Sequence, residues 1–350
     1  MQPTLTNETQ AVEMPVQKTC IHCGSEDVVP DFPNALYTTC RENYIKFPIP
    51  AWIKAFGIGI GAVVIFSLFS FLGNLQTGIH MERGVRAEKD HRFMTAQHEF
   101  EQVLTKVPGH VEAEAHLLIA AYNNQDLETL ATTANLLEGK SFDNQELFEQ
   151  ADRVMTLGSQ FFPSDSLNAI FEKLEDTSAA VVTAAVEDYY RRNPDDNSAC
   201  LKLASVAFDK TDYTRADTLL EKIIADDPEN IAAITLLSSV KRYQKDAPGA
   251  LTYIDKLLEL NKENVYALSS KARVMVMLNK DDEALKLAKE VDKLDHSFTY
   301  NQATLAIVYH YAHKLKERDE IVRKAGNDSA AMAYMQYAVD IINNKEKLRN

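Results

Sequence analysis

The chain has 350 residues, 45% of them hydrophobic, which is too apolar for a disordered protein and long enough for about two domains. Its formal net charge is −14, most of it carried after residue 74. A surface so acidic repels phosphate backbones at long range, which disfavours nucleic-acid binding by the large part of the chain.

Residues 1–17 are rich in Thr, Asn, Gln and Glu and read as a flexible tail. Three of the four cysteines follow closely: Cys20, Cys23 and Cys40. Cys200 then stands alone, so no internal disulfide can form in the C-terminal part, and packing must hold it together.

Cys20-Ile21-His22-Cys23 with Cys40 resembles a zinc ribbon, a small module in which short C-x-x-C turns bring thiolates to one tetrahedral ion. Residues 18–47 are read as that module, with Cys20, Cys23 and Cys40 as zinc ligands. The second pair is broken, since Asn43 and Tyr37 stand where a fourth cysteine would fall. His22 is the remaining nitrogen, but a residue inside a knuckle is expected to point away from the metal. A ribbon that has lost its metal and a redox dithiol are the alternatives, the latter without the βαβ context in which C-x-x-C works.

From Ala55 to Gly73 the chain carries no charged residue. At about 1.5 Å per residue such a helix matches the hydrocarbon thickness of a bilayer. Trp52 and Lys54 at its edge suit the headgroup region. Residues 51–74 are therefore predicted to form one retained transmembrane helix, with the bilayer contacting 55–73. Gly57 and Gly61 form a G-x-x-x-G pair through which two copies could approach as a homodimer. Basic residues nearly balance across the span. The cysteines, which need a reducing compartment to stay thiols, place the N-terminus in the cytoplasm and the remainder on the far side.

After residue 75 the sequence has a period. Ala216, Ala250 and Ala284 are 34 apart, as are Ala204, Ser238, Ala272 and Ala306. Leu220 and Ile254, then Ile223, Leu257 and Val291, follow at the same spacing. Such a pattern is a repeated helix hairpin: small residues let two helices pack closely, and an i, i+4, i+7 stripe covers the next pair. Pro194 and Pro228 end helices, and Asn230 and Asn264 fall in turns.

These residues are similar to the tetratricopeptide family, which has small residues at the eighth and twentieth positions of a 34-residue unit. Units 197–230, 231–264 and 265–298 match in register, and 299–332 keeps its first helix, with Arg318 at the alanine site. A further unit ends at Pro108, with Ala96, Phe100 and Val103 in its second helix. Residues 111–196 are helical in pattern but drift from the consensus. The resemblance implies an all-α fold, a right-handed α-solenoid of helix hairpins over 75–350. It also implies a concave face lined by the first helix of each unit. The positions on that face that point to partner binding are Phe208, Arg242, Tyr243, Tyr266, Arg273, Tyr300 and Tyr311, types that dominate binding hot spots.

No G-x-S-x-G elbow, phosphate-binding loop or H-E-x-x-H motif is present, and an enzyme is not expected. The sequence thus reads as a membrane-anchored scaffold whose repeats bind a protein or peptide. The alternative is a regulatory or nucleic-acid-binding protein acting through the ribbon.

Overall fold

The computed structural model describes residues 19–30, 34–45, 49–141, 143–326 and 329–349, and does not describe the side chains of 68–74 and 329–330. The tail expected over 1–17 lies outside the described residues. The chain divides into two compact units, Met1–Leu72 and Gly73–Asn350.

In the first unit an antiparallel bridge pairs Val28 with Tyr37, and helix α1 spans Thr38–Ile45. Helix α2, Ala51–Lys89, then carries the apolar run. Every described residue from 51 to 67 except Gly61 is exposed, including Trp52, Phe56, Ile58, Ile65 and Phe66. Among the described residues no helix is long and apolar enough to cross a membrane. The expected span is helical over its full length, but only 55–67 has described side chains.

The second unit is helical throughout. Helices α3 (Phe93–Lys106), α4 (Val111–Asn124), α5 (Leu127–Leu137) and α6 (Gln145–Gly158) lead to a 3₁₀ turn at Ser159–Phe161. Then come α7 (Asp165–Lys173), α8 (Ala179–Arg192), α9 (Asn197–Asp209), α10 (Tyr213–Asp226) and α11 (Ile231–Tyr243). The chain continues as α12 (Ala247–Leu260), α13 (Val265–Met277), α14 (Asp281–Leu294), α15 (Thr299–Tyr311), α16 (Leu315–Ala325) and α17 (Ser329–Ile342). First helices α9, α11, α13 and α15 start 34 residues apart, and so do second helices α10, α12, α14 and α16.

The same period governs the helix ends. Side chains of Asp196, Asn230 and Asn264 accept the N–H of Ala199, Ala233 and Ala267 at 3.0, 3.0 and 2.9 Å, capping α9, α11 and α13. Each first helix closes on a left-handed residue: Thr211, Lys245, Asn279 and His313, with φ between 56° and 63°. The next residue's N–H reaches back five positions, as from Asp212 to the Ala207 carbonyl at 2.9 Å. Asp212 and Asp246 then cap the second helix through the N–H of Arg215 and Gly249.

Packing follows the predicted register. Ala204, Ser238, Ala272 and Ala306, with Ala216, Ala250 and Ala284, are fully buried. Leu220, Ile254, Ile223, Leu257 and Val291 form the buried stripe, each contributing about 1.5–3 kcal/mol of apolar burial. In the N-terminal unit Ala96, Phe100 and Val103 are fully buried too. Phe100 lies against Gly84 of α2, where a Cβ would come within 2.5 Å of its ring.

Residues 111–196 deviate in one place. Starts of α3 and α5 are 34 apart, as are those of α4 and α6, and of α6 and α8. Here α6 is a first helix, yet no second helix follows it; the 3₁₀ turn leads straight to α7, the first helix of the next hairpin. One helix has been skipped. The N-terminal hairpins then return to meet the later ones. Lys262 donates its N–H to the His91 carbonyl at 2.8 Å. Glu263 accepts from Arg92 Nε at 2.9 Å and from Thr95 N and Oγ1, both at 2.8 Å. Asn261 Nδ2 donates to the Asn123 carbonyl and to Asn124 Oδ1. These contacts clasp the two arms of the solenoid together.

Candidate partner-binding face and cysteine cluster

The inner face of α9, α11 and α13 borders a cavity of about 390 Å³. Phe161, Phe162 and Pro163 of the skipped-helix turn, Leu201 of α9, Leu236 of α11 and Tyr266 of α13 give it mostly apolar walls. Gln125 comes from the other arm, and its Oε1 accepts from the Thr235 hydroxyl at 3.2 Å. Lys202 lies 5.8 Å from the Phe171 ring at its edge.

Tyr266 connects this cavity to a polar cluster. Its hydroxyl bonds Ser239 Oγ, and its ring stacks on Tyr300 at 5.0 Å. The Arg242 guanidinium lies 4.4 Å from the Tyr243 ring and 3.5 Å from the Tyr300 hydroxyl. Arg273 stacks 4.0 Å from the Tyr300 ring and donates to Thr304 Oγ1 at 2.8 Å and the Tyr300 carbonyl at 3.2 Å. Burial opposes ionisation of Tyr300, but Arg242 and Arg273 beside it outweigh that and hold its phenol below the ordinary value. Burial and the neighbouring Tyr300 push Tyr266 up to about 12.

The structure thus gathers Arg242, Tyr243, Tyr266, Arg273 and Tyr300 into one cluster. Phe208 adjoins it, 5.3 Å from the Tyr243 ring, whereas Tyr311 lies apart under Arg349, 4.4 Å away. Both arginines are buried on that face, each only 2% exposed. The cause is α17, whose Tyr337 lies 5.5 Å from the Tyr243 ring and 5.9 Å from Arg273. The following segment continues over the same face, with Lys245 Nζ on the Lys347 carbonyl at 2.7 Å and Arg349 paired to Asp281 at 2.6 Å. Helix α16 has only 11 residues and α17 starts 30 rather than 34 residues after α15, so it leaves the hairpin register. Tyr337 and the cavity-lining Phe161 and Phe162 were missed in sequence because they lie outside the periodic units.

In the first unit the sulfurs of Cys20, Cys23 and Cys40 lie within 4.8 Å of one another. The knuckle turns at Gly24, with φ +76°, whose N–H donates to the Cys20 carbonyl at 2.9 Å. Burial disfavours the Cys20 thiolate, but N–H groups of Tyr37, Cys23 and His22 aimed at its sulfur bring its pKa down to about 6. Cys40 is pushed up to about 11 because its thiol donates a hydrogen bond to the Cys23 sulfur, with burial and the charge of the other two sulfurs adding to the shift. Three sulfurs this close together could serve as ligands to one metal ion, and the donor set is of the type that suits zinc. His22 Nδ1 lies 3.9 Å from the Cys40 sulfur, nearer than its position in the knuckle predicts, but it is not part of the three-sulfur group.

The 34-residue helix hairpins, with their small-residue contacts and shared caps, make an all-α solenoid fold of the tetratricopeptide-like kind. No protein-family model and no curated protein matches the chain. Among solved structures it is similar to TTC0263, a thermophilic TPR protein of Thermus thermophilus, at 17% identity and a TM-score of 0.40, over 49% of this chain and 98% of that one. A tetratricopeptide repeat protein from Parabacteroides merdae is 11% identical with a TM-score of 0.38, over 76% and 99% of the two chains. The TPR2AB domain of yeast Sti1, in a pHSP90 complex, is 14% identical with a TM-score of 0.31, over 69% and 99%.

Proposed function

We propose that this chain is a membrane-anchored scaffold whose repeat array holds a protein or peptide partner on its inner face. The observation that carries this reading is the apolar cavity beside the tyrosine–arginine cluster, facing inward from three successive first helices. A partner side chain of aromatic or branched aliphatic type fits the walls set by Phe161, Phe162, Leu201 and Leu236. Leu236→Trp fills that space from a half-buried position and leaves the helix-capping side chains as they are. It should abolish recovery of partners by residues 75–350 from solubilised membranes while leaving the circular-dichroism melting curve in place. Retained recovery by the folded variant overturns the cavity as the binding surface.

Anchoring is supported by α2, whose apolar residues are exposed all round over 51–67, a pattern suited to lipid rather than to one packed partner. In this reading the bilayer contacts 55–73, Gly57 and Gly61 leave room for a second copy of the helix, and the N-terminus is cytoplasmic with the repeats on the far side. Gly57 and Gly61 have nothing within 4 Å of an added Cβ. Deleting 55–73 should release the protein into the soluble fraction; extraction of the full chain by alkaline carbonate overturns the anchor.

Cys20, Cys23 and Cys40 are the residues that would hold zinc, which there would fix the knuckle against α1. Metal analysis of chelator-free protein should give about one zinc per chain, and none after Cys20→Ser with Cys23→Ser. A content near zero in the unaltered protein points to a ribbon without its metal.

A further inference from the structure

We propose that the place of the skipped second helix is a docking groove for one amphipathic helix of a partner protein, apolar along one stripe and bearing a lysine or arginine within it. The groove belongs to the layer of second helices and shares no lining residue with the inner-face cavity, so it is a second surface rather than part of the first.

The cap fixes the register of α6. Asn144 accepts the N–H of Leu147 at 3.2 Å, as Asp196, Asn230 and Asn264 do at the starts of α9, α11 and α13. Counted from that cap, Phe148 and Asp152 stand at the fourth and eighth positions. The same positions hold Cys200 and Ala204 in α9, Ile234 and Ser238 in α11, and Leu268 and Ala272 in α13, all of them buried. A second helix covers these positions: the Cys200 thiol, for one, donates to the Leu219 carbonyl of α10 at 3.4 Å. No such helix follows α6. Asp152 is exposed there, and Phe148 and Met155 are half-buried. With Ala134 and Leu137 of α5 they border a cavity of about 510 Å³.

The neighbouring hairpins show what shape fits. Helices α10, α12 and α14 each run 14 residues and bury a small residue followed by apolar ones four and seven positions on, as in Ala250, Ile254 and Leu257. Asp152 sets the difference. Among the described residues its carboxylate has no ion pair and no hydrogen bond, and Lys140, the cation bordering the cavity, is already bound to Glu114 at 2.7 Å. A helix with alanine at the matching place would cover Asp152 and leave its charge without a partner, which is costly. A lysine or arginine there pairs with it, and charge complementarity of this kind selects one partner over another. The chain's own second helices carry alanine at that place, in Ala216, Ala250 and Ala284, so a foreign helix fits better than a second copy.

The probe is a stapled, end-capped 14-residue helix with leucine and isoleucine at the second-helix spacing and lysine in place of the alanine. Its twin has glutamate there. Both are titrated against the full chain in phosphatidylcholine nanodiscs, with empty nanodiscs as the blank. The lysine peptide should bind at least about tenfold tighter than its twin and slow hydrogen exchange over 134–140 and 148–155. Asp152→Lys, an exposed substitution that should leave the melting curve in place, should reverse the preference, and Asp152→Asn should abolish it without reversal. Equal binding of the two peptides, a preference unchanged in Asp152→Lys, or protection confined to other segments overturns the groove. Protection of 134–140 and 148–155 that grows with the concentration of the protein alone gives the groove to a second copy and overturns the foreign helix.

Discussion

Thr211 holds the left-handed turn between α9 and α10, at φ +61°. A β-branched residue there costs about 1–2 kcal/mol, against about 0.5–1 kcal/mol for the extra unfolded freedom of glycine. Its side chain is exposed, so Thr211→Gly should raise stability by about 0.5–1 kcal/mol in urea unfolding. Asp196 is a different case. Burial would raise its pKa, but hydrogen bonds from Ser198, Ser164, the Ala199 N–H and Tyr189 lower it from 3.8 to about 2. A depressed folded value means its contribution is whole above about pH 4 and is lost as pH falls toward 2. Asp196→Asn should cost about 1 kcal/mol at neutral pH, and its difference from the unaltered chain should vanish near pH 2. A constant difference between the two unfolding curves down to that pH would locate the loss elsewhere.

Among the elements, the hairpins from 197 to 311 were legible in sequence because close helix packing demands small residues at fixed positions. Ala250 shows the constraint most simply: it is fully buried between α11 and α12, and Ala250→Leu should cost about 1–3 kcal/mol by overpacking. Chemical denaturation reads the total, and hydrogen exchange should place the damage in 231–298. The skipped helix was not legible. A missing element leaves no residues to read, and its trace was only a loss of phase between 111 and 196. The cover over Arg242 was hidden for a related reason. Its placement depends on the shortened α16, while every local signal puts Arg242 on an ordinary first-helix face. The cysteine spacing did forecast the cluster, since a C-x-x-C knuckle fixes two sulfurs by itself.

For the whole molecule, the skipped helix turns an open spiral into an array whose two arms touch. Glu263, 8% exposed, is central to that junction, receiving Arg92 and Thr95 from the other arm. Glu263→Ala should loosen the junction by about 1–3 kcal/mol. Hydrogen exchange should quicken over 91–125 and 259–264 and stay unchanged over 281–325, because nearest-neighbour packing within each arm remains. Equal acceleration everywhere would mean that the arms do not unfold as separate blocks.

The same junction sets how the chain must reach its native state in time. Solenoids fold quickly because their contacts are local, but Arg92 and Glu263 are 171 residues apart in sequence. Closing so long a loop carries an entropic barrier that grows with the logarithm of its length, and it precedes any gain from the contacts it creates. Each arm can propagate from its own nucleus, so refolding should show a rapid helical phase followed by a slower one in which 91–125 becomes protected. In Glu263→Ala the rapid phase should keep its rate while the late protection is largely lost, making the junction the last part of the molecule to assemble and the first to open.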